Sequence, residues 1–196
     1  MKQLIGLCGV ARSGKDTFYT LAKQYIENKL NLNCKKISFA EALREEVNDI
    51  LIQNFNISAW TTDNNEKELI RDILVAWSKT RRNQNVNYWI EKVIKNIDKE
   101  NVNIITDVRY KNEIDFIHKN NGVCIYLQRQ FDYCLHGTVN VLQPCNDEER
   151  LHTVPLQDIC DYSITWRDIN VYRDECIKQV NNLISGLIYT DPPFTI

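Results

Sequence analysis

Several things are missing from this chain of 196 residues, and each absence removes a class of protein. No apolar run approaches the ~20 residues that a bilayer-spanning helix needs. Leu4-Ile5-Gly6-Leu7-Cys8 ends like a lipoprotein cleavage site, yet it is far too short for a secretory apolar core and glycines follow at once. Charge of one sign is missing as well: 24 Lys and Arg stand against 26 Asp and Glu, so a net charge of −2 gives no positive field for nucleic acid. The seven cysteines form no CxxC pair, and Cys8, Cys124 and Cys160 sit in or beside apolar runs, as reduced buried thiols do. Six glycines and four prolines leave no linker, and there is no internal repeat or low-complexity tract. The expectation is a single cytoplasmic domain over residues 1–196, with neither a membrane nor a nucleic-acid partner.

What is present begins nine residues in. Gly9-Val10-Ala11-Arg12-Ser13-Gly14-Lys15-Asp16-Thr17 has the G-x-x-x-x-G-K spacing of a phosphate-binding loop. The apolar run before it suits a buried strand, and Phe18, Leu21, Ala22, Tyr25, Ile26 and Leu30 recur at helical spacing after it. Gly9 and Gly14 let the backbone curl so that successive N–H groups face a phosphate, and the helix N-terminus adds its positive end. Arg12, Ser13, Gly14, Lys15, Asp16 and Thr17 are therefore the candidate ATP ligands, with Lys15 reaching the outer phosphates. The position after the lysine normally carries the Ser or Thr that serves Mg²⁺; here it is Asp16, followed by Thr17. Either Thr17 supplies the hydroxyl, or Asp16 holds the metal through a water, or Asp16 is a first-turn carboxylate favoured by the helix dipole. No N-K-x-D guanine motif and no L-S-G-G-Q signature occur, which removes GTPase switches and ABC-type ATPases.

Strand-like and helix-period runs alternate along the rest of the chain. Strands are expected at 34–38, 102–107, 122–127 and 161–166, and helical spacing at 43–51, 69–77, 89–97, around Ile114 and Ile117, and at 171–188. Ser38-Phe39-Ala40-Glu41 has capping-box spacing, and residues 56–65 form a polar break. The alternation predicts an α/β fold, a P-loop three-layer sandwich in which a five-stranded parallel sheet carries helices on both faces. Residues 128–157 have no steady period and are expected to form a lid, and 56–87 to shape an acceptor side. Right-handed crossovers gather the strand ends, and the ligand, on one edge.

Asp107 closes the strand run Val102-Asn103-Ile104-Ile105-Thr106-Asp107, where a carboxylate can orient Mg²⁺ waters or accept a substrate hydroxyl. Arg109 follows two residues on and Glu113 six on. A carboxylate–arginine–carboxylate cluster suits a phosphorylated sugar-base: the arginine grips the phosphate in a fork and the acids take hydroxyl or base N–H groups.

With these residues in view, the chain resembles the phage-type deoxynucleoside monophosphate kinases, a family in the nucleoside and nucleotide kinase group of P-loop proteins. The likeness rests on the loop with Asp16 after its lysine, on Phe39-Ala40 followed by Arg44, and on Asp107-Val108-Arg109 with Glu113. It also rests on 71–89, similar to the family's R-x-L-L-Q-x-x-G-T … Y-W stretch, and on Leu127-Gln128-Arg129, which resembles the arginine-bearing strand that opens its lid. Val75 and Ser78-Lys79 replace the Gln and the Gly-Thr pair of that stretch. The resemblance implies ATP and Mg²⁺ as cofactors, a nucleoside monophosphate as acceptor, and a viral enzyme supplying DNA precursors in the host cytoplasm. It further implies that Arg44, Arg71 and Arg109 grip the acceptor phosphate, that Asp107 and Glu113 contact its sugar or base, and that Trp89 walls the base pocket. By the same resemblance Lys15 and Arg129 neutralise the transferring phosphoryl group, and Asp16 and Thr17 serve the metal. The loop and the arginines equally suit a phosphomevalonate or dephospho-coenzyme A type of kinase, or a regulator that binds nucleotide without turnover.

The remaining conspicuous residues have plainer readings. Trp60, Trp77 and Trp166 are expected to pack, and Arg81 and Arg82 to lie on an irregular stretch. His118 is expected to face solvent. Cys134, His136, Cys145 and His152 are spaced too loosely for a structural zinc and are taken as loop residues. The closing segment 189–196, with Pro192-Pro193-Phe194, is a candidate contact for a second copy or for the chain itself.

Overall fold

Every residue of β1 (Leu4–Cys8) is buried, the mark of a strand covered on both faces. In a computed structural model that describes residues 3–131 and 140–189, β1 lies between β3 (Val102–Val108) and β4 (Val123–Phe131), parallel to both. β2 (Cys34–Ile37) lies beyond β3, and β6 (Tyr162–Trp166) runs parallel along β4. The five strands expected from the sequence thus form the five-stranded parallel sheet, in the order β2-β3-β1-β4-β6. A two-residue strand, β5 (Asn140–Val141), adds antiparallel to the far end of β4, inside the expected lid.

Strand alternation sends Ile5 and Leu7 to one face, where they meet Phe18, Leu21 and Ile26 of α1 (Lys15–Lys29) and Val180 and Ile184 of α6 (Arg173–Tyr189). Gly6 points to the other face, against α5 (Lys111–Lys119). A Cβ on Gly6 would stand 2.5 Å from Ile117 Cδ1, so the close approach of α5 depends on that hydrogen. Helices therefore cover both faces, as the alternation predicts.

By compactness the chain divides into two units, Met1–Lys36 with Asp98–Ile196, which holds the sheet, and Ile37–Ile97. The second unit is α2 (Phe39–Phe55), α3 (Asn64–Gln84) and α4 (Tyr88–Val93) around Val47, Leu51, Ile57, Ala59 and Ile70. Ser38 Oγ caps α2 by accepting the Glu41 N–H, as its spacing predicts. Asp63 ends the polar break by accepting the N–H groups of Asn65 and Glu66 at 2.8 and 3.0 Å. Two expectations are corrected in this unit. Arg81 and Arg82 are helical, because α3 runs on to Gln84, and Trp60 is 44% exposed rather than packed.

Glu46 of α2 explains the extra length of α3. Its carboxylate accepts Arg81 Nε at 2.6 Å, Trp77 Nε1 at 2.9 Å and the Tyr88 hydroxyl, so one acid ties three helices. The Arg81 guanidinium lies over both rings, 5.5 Å from Trp77 and 5.0 Å from Tyr88. Burial works against the charged form of Glu46, but the bonds from Tyr88, Trp77 and Arg81 outweigh it and hold its pKa below the usual 4.5. Glu46→Ala is expected to cost roughly 2–3 kcal/mol, because Trp77 and Tyr88 lose a charged acceptor together. Urea melts at neutral pH check the figure. The gap between variant and wild type should shrink as pH falls through the depressed pKa and the wild-type carboxylate protonates.

Among the described residues, no helix is long and apolar enough to cross a membrane.

Candidate active site

The loop after β1 has the backbone that its glycines allow. Gly9 and Gly14 take φ of 133° and 98°, and Arg12 between them takes 64°. A Cβ on Gly9 would lie 2.4 Å from the Leu127 carbonyl oxygen, so β4 fixes the loop's entry. Gly14 is the N-cap of α1 and supplies no side-chain cap, which leaves the first-turn N–H groups of a 15-residue helix facing whatever the loop holds. Ser13, fully buried, donates its N–H to the Val10 carbonyl at 3.2 Å.

Trp166, expected only to pack, also holds the loop. Its Nε1 donates to the Ser13 carbonyl at 2.8 Å, and its ring occupies the space where a side chain on Gly14 would go. Asp16 is largely exposed and pairs with Lys36 at 2.9 Å, while Thr17 is half-buried.

A break in register precedes Asp107 and Arg109 at the end of β3. Gly6 pairs with Ile105 but Cys8 pairs with Val108, so β3 spends one residue more than β1 over that step. Such a bulge re-aims side chains. Val108 returns to the α5 face beside Gly6, and Asp107 and Arg109 no longer share the face of Ile105. Glu113 is only 2% exposed, and its Oε2 accepts the N–H groups of Arg109 and Tyr110 at 2.8 and 3.1 Å. That bonding makes it the acid of a capping box for α5, which orients the turn bearing Arg109.

Lys15 folds over its own loop, donating to the carbonyls of Gly9 and Val10 at 2.6 and 2.7 Å. Burial first, and then the charge of Arg109, push its pKa down to about 8. Glu149 and Asp16 pull the other way. Lys15 and Arg109 are thus near enough for their charges to oppose each other, a repulsion that an anion between them would relieve. Glu149 was not legible in the sequence. It lies in the lid, is 3% exposed, and its Oε1 accepts the Ala11 N–H at 2.8 Å with Arg109 Nη1 at 3.9 Å.

Arg129, at the end of β4, is held by Asp168 at 2.8 Å and lies 5.7 Å from the centre of the Phe131 ring. Arg44, Arg71 and Trp89 belong to the second unit. Arg44 is exposed on α2, Arg71 is exposed on α3 and pairs with Glu68 at 3.2 Å, and Trp89 is 2% exposed with its indole N–H on the Ser78 carbonyl at 3.3 Å. Within its unit Trp89 therefore packs. His118 is exposed, as expected, and is bonded to Asp161 at 2.9 Å. The same Asp161 oxygen takes the Cys124 N–H at 2.7 Å, which ties the start of β4 to that of β6. Cys145 is exposed and the His152 ring lies 5.1 Å from that of Tyr110; Cys134, His136 and the segment 190–196 lie outside the described residues.

An uncapped helix behind a glycine loop, a half-buried lysine and a strand-end Asp–Arg pair on a parallel sheet define a P-loop small-molecule kinase. The phosphomevalonate kinase family profile matches residues 7–123, more than half of the chain, and the chain belongs to that family. Two solved structures are similar over nearly the whole length. One is a dephospho-CoA kinase from Campylobacter jejuni, 16% identical with a TM-score of 0.47, covering 95% of this chain and 99% of that one. The other is a sugar kinase from a Janibacter species, 10% identical with a TM-score of 0.35, covering 96% of this chain and 95% of that one. No curated protein matches the chain.

Proposed function

We propose that this kinase moves the γ-phosphate of ATP onto a second phosphate, that of a nucleoside 5′-monophosphate, with the deoxy form preferred. The observation that carries the reading is the pair Lys15 and Arg109, one at the start of α1 and one just past β3, near enough for the charge of Arg109 to lower the Lys15 pKa. Phosphoryl transfer asks little covalent chemistry of a protein; it asks for alignment and for positive charge around a spread-out anionic transition state. A monophosphate oxygen is already a competent nucleophile, so no strong general base is required.

In this reading the labour is divided among the loop, the strand ends and the metal. Loop amides and the start of α1 hold the donor phosphates, Lys15 bridges to the outer ones, and Arg109 grips the acceptor phosphate, steadied by Glu113 through the backbone. Arg129 is assigned to the transferring group. Asp107 orients the acceptor or metal-bound water. A bound Mg²⁺ would supply positive charge to the phosphates. Asp16 and Thr17, the candidate first-turn ligands, would hold it through the oxygen donors that such a hard cation takes.

The test is ADP release by the full chain, with each common deoxy- and ribonucleoside monophosphate offered in turn beside phosphomevalonate. Faster release with at least one nucleoside monophosphate is expected. The family match favours a second reading, in which phosphomevalonate is the acceptor, and stimulation by that compound alone would replace the first. Arg109→Ala is expected to raise the acceptor KM by about tenfold to a hundredfold, the worth of a lost charge-assisted fork. Its kcat should change less, because the fork serves ground and transition states alike. Initial rates against acceptor concentration check this, and an unchanged KM would remove the role given to Arg109.

A further inference from the structure

We propose that Glu149 is a displaceable occupant of the phosphate loop: a positioning residue whose carboxylate holds Ala11 and Arg109 in place of a phosphoryl group until one arrives. The inference rests on the phosphate-loop reading above and adds to it a carboxylate that the loop already binds. Main-chain N–H groups of such a loop serve anions, and one of them, that of Ala11, is already taken by Glu149 Oε1 at 2.8 Å. Arg109 Nη1 stands 3.9 Å from that same oxygen. A carboxylate only 3% exposed persists only where donors surround it, and here they are the donors expected of an anion site.

The other oxygen, Oε2, accepts the Cys145 N–H at 3.0 Å, and Asn146 Oδ1 accepts the Glu149 N–H at 2.8 Å. Glu149 opens the π-helical turn Glu149–Thr153, which carries the lid's descent onto the loop. The carboxylate thus ties residues 145–153 to the loop. A phosphoryl oxygen placed on Ala11 and Arg109 would meet a like charge within hydrogen-bonding distance, which neither group tolerates while both are charged. Arrival of phosphate therefore expels Glu149 and releases the segment that it anchors.

Inorganic tripolyphosphate titrated calorimetrically into the full chain tests this without turnover. Glu149→Gln keeps the shape and an oxygen for the Ala11 N–H but removes the charge. It is expected to bind tripolyphosphate about tenfold more tightly than wild type, the relief of one like-charge contact. Equal or weaker binding by a variant with wild-type melting overturns the proposal. Should the substitution unfold the chain, the wild type carries its own test, amide hydrogen exchange over residues 145–153. Saturating tripolyphosphate is expected to speed that exchange by about threefold or more; unchanged or slower exchange overturns the proposal, since a lid that merely closes gains protection. A wild type that neither binds tripolyphosphate nor releases ADP removes both readings. One that turns over normally, beside an indifferent Glu149→Gln, removes this reading alone.

Discussion

Lys15→Met is expected to lower kcat by about two to three orders of magnitude, the usual cost of one preorganised donor to a developing phosphoryl charge. The methionine keeps the stem inside the loop and removes only the ammonium, so the loss reads the charge and not the packing. A pH series separates this from a general disturbance. The wild-type ammonium has a pKa of about 8, lowered chiefly by burial and then by Arg109. Phosphate nearby favours the charged form, so ATP binds the protonated lysine better and raises its pKa. Affinity should be flat up to about pH 8 and then weaken about tenfold per unit, until the pKa of the complex is reached. Stability of the empty protein should move the opposite way. Between about 8 and 10.5 the unfolded lysine holds a proton that the folded one has lost, so stability rises with pH across that window, by at most about 3 kcal/mol. Titration calorimetry and urea melts on the same samples measure both slopes. Lys15→Met should flatten both, and an ATP affinity in wild type that ignores pH above 8 would sink the assignment of Lys15 to the outer phosphates.

The sheet and the loop were legible in the sequence for a local reason. Buried parallel strands leave continuous apolar runs, and the loop's spacing is fixed by backbone geometry within nine residues, so neither needs knowledge of distant partners. Asp107 and Arg109 were legible as residue types, but the bulge that re-aims them was not, since it exists only as a mismatch between Gly6–Cys8 and Ile105–Val108. Glu149 stands in an aperiodic run beside Asp147 and Glu148, and only the folded chain shows which of these acids is buried against Ala11. Glu46 is hidden in the same way, one acid among several on an amphipathic helix, until Trp77, Arg81 and Tyr88 converge on it. The extent of α3 was misjudged because charged Arg81 and Arg82 break the apolar period, whereas the bond to Glu46 carries the helix through them. Burial and the Ser78 bond of Trp89 are equally non-local, and they place it in the interior of its unit. Long-range pairing, not local pattern, set each of these outcomes.

Gly14→Ala should cost both nucleotide and stability, for two causes that can be separated. The φ of 98° disfavours any side chain, at roughly 1–3 kcal/mol. Independently, an ideal Cβ would stand 2.5 Å from Trp166 Cζ2 and 2.8 Å from its Nε1, atoms held in the core by the bond to the Ser13 carbonyl. Relieving that overlap by shifting the ring adds about 1–3 kcal/mol. The sum predicts a melting point lower by about 5–15 °C in a chain of this size. ATP affinity should fall about a hundredfold, because the shift of the indole pulls on the peptide that shapes the phosphate site. Trp166→Phe takes away the overlapping atoms but leaves the backbone angle. Gly14→Ala measured in that background should therefore cost about 1–3 kcal/mol less than in wild type, a coupling read from the four melts of a double-mutant cycle. Equal costs in the two backgrounds would mean that the tryptophan yields freely and that backbone strain alone demands glycine. In that event Trp166 would lose the structural role assigned to it beneath the loop, and its indole bond to Ser13 would be incidental to nucleotide binding.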